Sequence, residues 1–196
     1  MLCTALLALQ NLLQVFMKIK VGIGILILPF FLFYSGAEIT SLLVFLSSVV
    51  VHEAGHVLCA ALLKRKITEI KIEPFGARIS LGEDISYGQE FLIALSGPAA
   101  SFFLFFVMRR GDTADVSLFL GLINLLPVAT LDGGRATECA VSFFFGPQTA
   151  AQVINVCGKL CAIAIWLISV YLVLRYDGGF GLLVFSCFLA FMAAKK

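Results

Sequence analysis

Residues 49–60 read VVVHEAGHVLCA. Two histidines and a glutamate, His52, Glu53 and His56, stand in a run that is otherwise apolar. Residues four apart on an α-helix share a face one turn apart, so both imidazoles can reach a single ion. Glu53 lies near the same face, and in such sites the glutamate is the general base and not a ligand. The chain has only two histidines. Two placed at random fall four apart about 1% of the time, and a glutamate follows the first in about 4% of those cases, so chance accounts poorly for the motif.

The surroundings sharpen the point. Of the 196 residues, 61% are hydrophobic and 13% charged, and the mean hydropathy is +1.04. A soluble domain carries about a quarter charged residues. Such a composition indicates a bilayer as solvent, and ionisable groups inside a membrane are costly enough to imply a function. The net charge of +2 comes with no basic cluster interleaved with aromatics, so no nucleic-acid partner is expected. Six scattered cysteines, Cys3, Cys59, Cys139, Cys157, Cys161 and Cys187, read as small apolar side chains in a reduced chain.

Apolar runs fall at 1–17, 21–36, 39–63, 88–108, 116–145, 147–175 and 178–194. A span needs about 20 apolar residues, so the expected fold is an all-α polytopic membrane protein with about six transmembrane helices. The 116–145 run is too long for one regular helix and holds Pro127 and Gly133-Gly134, so it reads as a broken helix. Residues 67–82, ITEIKIEPFGARISLG, alternate in polarity on both sides of Pro74-Phe75-Gly76 and predict a short β-hairpin after the HEAGH helix. Residues 1–196 read as one domain with this hairpin as an insertion. Orientation follows the positive charges. Lys18, Lys20, Lys64, Arg65, Lys66, Lys71, Arg78, Lys195 and Lys196 fall on one side and Arg109, Arg110 and Arg175 on the other, which puts the first set in the cytosol.

A catalytic zinc takes three protein ligands and an open position for water. With no third histidine, the third ligand is Asp, Glu or Cys. Cys59 shares the histidine face, but ligands at i, i+4 and i+7 span about 10.5 Å along the axis, too far for one ion. Among the carboxylates only Asp132 and Glu138 lie well inside an apolar run. Asp132, between Pro127 and Gly133-Gly134, is the first choice and Glu138 the alternative.

Three motifs together, HEAGH, SGPAAS (Ser96 to Ser101) and NLLPVATLDGGR (Asn124 to Arg135), resemble the site-2 protease family of intramembrane zinc metalloproteases. The EPFGARI stretch (Glu73 to Ile79) looks closest to the stage IV sporulation FB protease group. The resemblance covers roughly residues 40–140. It implies one Zn2+ held by His52, His56 and Asp132, Glu53 as catalytic base, and Asn124 near the substrate carbonyl or backbone. Thr130 stands where family members often have a proline before LDG. Many relatives carry a PDZ or CBS domain, and neither is expected here. The implied activity is a zinc metalloendopeptidase of the bacterial cell membrane, cutting in or near a membrane segment close to the cytosolic face. Its implied partners are the lipid bilayer, a membrane or membrane-associated proprotein as substrate, and membrane inhibitor or regulator proteins; a sporulation proprotein fits the FB group. The small residues of SGPAAS read as plain helix packing. The hairpin edge, at Ile70 and Ile72, is expected to take an unwound substrate by strand addition. The alternatives are a polytopic metal transporter and a protease-like membrane protein that binds without cutting; the glutamate between the histidines argues against both.

Overall fold

The computed structural model describes residues 19–21, 38–65, 67–73, 76–81 and 85–176, and a few positions between 182 and 190. The apolar runs at 1–17, most of 21–36 and most of 178–194 lie outside the described residues. Among the described residues three helices are long and apolar enough to cross a membrane, Ile39–Leu62, Tyr87–Met108 and Pro147–Arg175. Chain contacts divide the molecule into two compact units, Met1–Leu122 and Ile123–Lys196.

In the first unit, α1 (Ile39–Leu62) is inside out by the standard of a soluble helix. Its buried residues are Ser48, His52, His56 and Ala60, a seam with a strict four-residue repeat. Its apolar side chains point outward, with Val50, Leu58 and Leu62 all more than half exposed. A lipid surrounding makes that arrangement favourable, because exposed aliphatic surface costs about 25 cal/mol per Å2 in water and nothing comparable in lipid. At 24 residues the helix is about 36 Å long, enough to cross. Among the described residues, three helices of this kind suit a membrane-embedded chain.

Helix α2 (Tyr87–Met108) starts at a capping box, in which the Ser86 and Gln89 side chains each bond the other's backbone N–H. Small residues let α1 and α2 approach closely. A Cβ on Gly55 would stand 2.7 Å from Cβ of Ala100. The α2 seam is Ile93, Gly97 and Ser101, again four apart, while Phe103 and Phe106 face outward. Helix α3 (Asp112–Asn124) carries Asp112 and Asp115 in its first turn, where the helix dipole favours negative charge. It is fastened to α1 by a buried hydrogen bond of 3.0 Å from Ser117 Oγ to Ser48 Oγ.

The unit also holds a small sheet of strands β1 (Ile19–Val21), β2 (Ile67–Glu73) and β3 (Gly76–Leu81), in the order β1-β2-β3. Strands β2 and β3 pair antiparallel, with Ile70 opposite Ile79 and Ile72 opposite Ala77. Strand β1 adds parallel on the other side, with Ile19 opposite Ile70 and Val21 opposite Ile72. β2 is therefore the central strand. Three residues, Ile-Lys-Val, carry too little alternation to announce β1 in the sequence.

In the second unit the expected break in the 116–145 run lies at residues 125–131, between α3 and α4 (Asp132–Phe145). Neither α3, of 13 residues, nor α4, of 14, is long enough to span. Gly133 and Gly134 sit in the first turn of α4 rather than in the break. Their lack of side chains lets the preceding loop fold back on the helix: a Cβ on Gly133 would run into the carbonyl of Leu125, and one on Gly134 into that of Val128. Val128 and Leu131 of this loop are buried with Ala162 of α5 (Pro147–Tyr176), and Leu126, Cys161 and Ile165 pack around them. Gly158 of α5 lies just beneath the backbone of Pro127 and Val128. The loop is thus held on both sides, by α4 and by α5. Gly146, at a φ of 86°, makes the turn between those helices, and Pro147 opens α5 where a missing N–H costs nothing.

Candidate metal centre

His52 and His56 are each 3% exposed. The helical repeat stacks them one turn apart, with Nε2 of one 3.3 Å from Nε2 of the other. Their outer nitrogens are tied to α2. Nδ1 of His56 lies 2.7 Å from the backbone carbonyl oxygen of Ile93. A carbonyl can only accept, so this Nδ1 carries the proton and, in the neutral ring, Nε2 presents a lone pair. Nδ1 of His52 lies 2.8 Å from Oγ of Ser101. The two Nε2 atoms thus converge on one point.

That geometry suits zinc. Two ligand nitrogens at 2.0–2.1 Å from one tetrahedral ion stand about 3.3 Å apart, the edge of the tetrahedron. The opposite wall is shaped to match. A Cβ on Gly97 would run into Nε2 of His56 and stand 2.8 Å from Nε2 of His52. Glycine there keeps clear the space in front of both nitrogens.

Asp132 is the first residue of α4 and is half-buried. His52 and His56 belong to the first unit and Asp132 to the second; two neutral imidazoles and one carboxylate are a zinc donor set. Six residues along α4 from Asp132, Glu138 is turned about 240° around the helix axis, away from the aspartate's face. Glu53, between the histidines, is half-buried, and its Oε2 is shielded from solvent. Asn124 ends α3 and is 5% exposed.

Ile70 and Ile72 require a correction. The expected open edge is not on them, because their strand is paired on both sides, with β3 and with β1. Among the described residues the outer edge next to the hairpin turn belongs to β3.

Three residues that touch the histidines escaped the sequence analysis: Ile93, Gly97 and Ser101. SGPAAS was read as packing alone. The signal available was spacing, since 93, 97 and 101 repeat by four as 52 and 56 do, and two such rows can face each other along crossing helices.

Residues 40–109 match the family model of Peptidase family M50. A Synechocystis sp. protein assigned as a zinc metalloprotease is 33% identical over 132 residues, 59% of this chain and 35% of that protein. Stage IV sporulation protein FB of Bacillus subtilis is 28% identical over 109 residues, 48% of this chain and 38% of that protein. The matched stretches are little more than a third of those relatives' lengths. Among solved structures the site-2 protease from Methanocaldococcus jannaschii superposes with a TM-score of 0.67, covering 90% of this chain and 89% of that one at 23% identity. The chain has the site-2 protease fold. Its HEAGH and SGPAAS motifs both fall within the stretch matched to Peptidase family M50.

Proposed function

We propose that the protein is an intramembrane zinc metalloendopeptidase that hydrolyses a peptide bond in or near a membrane segment of another protein. The observation that supports this most strongly is the pair of converging imidazole nitrogens, 3.3 Å apart and tied from behind by α2. His52, His56 and Asp132 would hold the ion, and a Zn2+ bound by them would supply Lewis acidity that makes water easier to deprotonate near neutral pH. Glu53, one residue from His52, takes the proton from the attacking water and delivers it to the leaving amine. Asn124 holds the substrate backbone.

His56 is eight residues before Lys64, about 12 Å along the helix, so water reaches the site from the face that carries the lysines, read as the cytosol of a bacterial cell. A helical substrate has its carbonyls engaged and must unwind; the freed groups then need partners in a place with little water. The outer edge of β3 supplies them by strand addition. Membrane or membrane-associated proproteins are the substrate class, and the likeness to the sporulation protein makes sporulation proproteins the first to try.

The test is co-expression with single-span or membrane-associated proproteins, comparing wild type with Glu53→Gln. The variant should keep zinc and lose cleavage, by roughly 100-fold or more for loss of a general base. Near-normal cleavage by the variant would remove Glu53 from the mechanism. Zinc flux in liposomes without cleavage of any proprotein would favour transport instead.

A further inference from the structure

We propose that Ser101 and Gly97 of α2 set the metal affinity of the centre, Ser101 as the positioning residue of His52 and Gly97 as the residue that keeps the coordination space clear. This rests on the reading of His52 and His56 as ligands and names the residues that make them so. The two histidines are held by unlike groups. His56 meets the carbonyl of Ile93, which fixes one tautomer and which no side-chain replacement removes. His52 meets a hydroxyl, 2.8 Å away and fully buried. A hydroxyl both donates and accepts. When it donates to Nδ1 of His52, the ring proton sits on Nε2 and bridges the 3.3 Å to Nε2 of His56. When it accepts from Nδ1, the proton has moved there and Nε2 offers its lone pair to a cation. One rotatable O–H thus keeps the buried ring satisfied in both tautomers, and the change conserves the protons of the pair.

Gly97 lies midway between Ile93 and Ser101 on the α2 seam. The three nearest atoms its Cβ would meet are imidazole atoms: Nε2 and Cε1 of His56 and Nε2 of His52. They belong to side chains and not to backbone, so a methyl group at 97 displaces the rings first and is incompatible with both nitrogens meeting one ion. Gly55 differs, since a Cβ there meets the Ser96 backbone and would push the helices apart.

The experiment measures zinc affinity of the purified full chain by chelator competition, and the visible spectrum of the cobalt(II)-loaded protein, which reports ligand geometry. Ser101→Ala should bind zinc about 10–100-fold more weakly, the usual loss when the partner behind a ligating histidine is removed, and should shift the cobalt bands. Ser101→Thr, which restores the hydroxyl, should recover most of that affinity. Ser117→Ala removes another buried serine hydroxyl of the same unit, one that bonds Ser48 and not an imidazole, and should leave zinc affinity unchanged. Gly97→Ala should keep its helicity and lose zinc. Gly88→Ala, on the same helix with open space around it, should bind normally. Wild-type affinity and spectrum in Ser101→Ala, or normal zinc in Gly97→Ala, would overturn the proposal while His52→Ala still loses the metal. Full zinc in His52→Ala would overturn the ligand reading and this proposal with it.

Discussion

Gly134 packs against the carbonyl of Val128 so closely that a Cβ at 134 would overlap it. The atoms in the way are backbone, and Val128 is itself buried on Ala162 of α5. Neither side can yield cheaply. Gly134→Ala should therefore cost about 1–3 kcal/mol, the usual range for overpacking, and should displace the loop that leads into Asp132. Thermal unfolding in detergent reads the first effect and zinc content the second. A variant with unchanged stability and full zinc would show that the loop relaxes freely.

Asp132→Asn should retain the fold and bind zinc much more weakly, because a neutral amide is a poorer ligand than a carboxylate. Glu138→Gln should bind as wild type does. Metal analysis of the two purified variants decides it. Loss in Glu138→Gln with full occupancy in Asp132→Asn would reverse the assignment.

Removing the metal with a strong chelator should abolish proteolysis, and added zinc should restore it. The helices should stay paired, because the imidazoles can hydrogen-bond to each other and to Ser101 and Ile93. The unfolding midpoint should fall, since an ion held only by the folded state adds about 2.7 kcal/mol at a hundred times its dissociation constant. Circular dichroism before and after chelation separates loss of metal from loss of fold.

Along β3, proline at Arg78 and at Ile79 probes the two sides of the strand, because adjacent N–H groups point to opposite edges. One replacement removes a donor toward β2 and the other a donor toward the outer edge. The outer-edge variant should keep zinc and membrane insertion and lose most cleavage, while alanine at the same position should do much less. If both proline variants cleave normally, substrate is not held by strand addition there.

The sequence by itself determined the bilayer as solvent and the pair of histidines with their glutamate. Both rest on local regularities: the length of apolar runs, and the four-residue repeat that puts His52 and His56 on one face of any helix. It also narrowed the third ligand to Asp132 or Glu138, because the break around Pro127 is written in the residues. The choice between them depends on where α4 begins and which way its first turn faces, and no local pattern in the residues states either. The same holds for β2. Its alternation is legible, but whether its edge is open depends on a three-residue partner some fifty positions away, which only the fold brings alongside. Gly97 and Ser101 show the limit most plainly. As letters they are small residues on an apolar helix. They acquire a chemical role only because α2 crosses α1 at the level of the histidines, and that crossing is set by packing between helices, which no local pattern encodes.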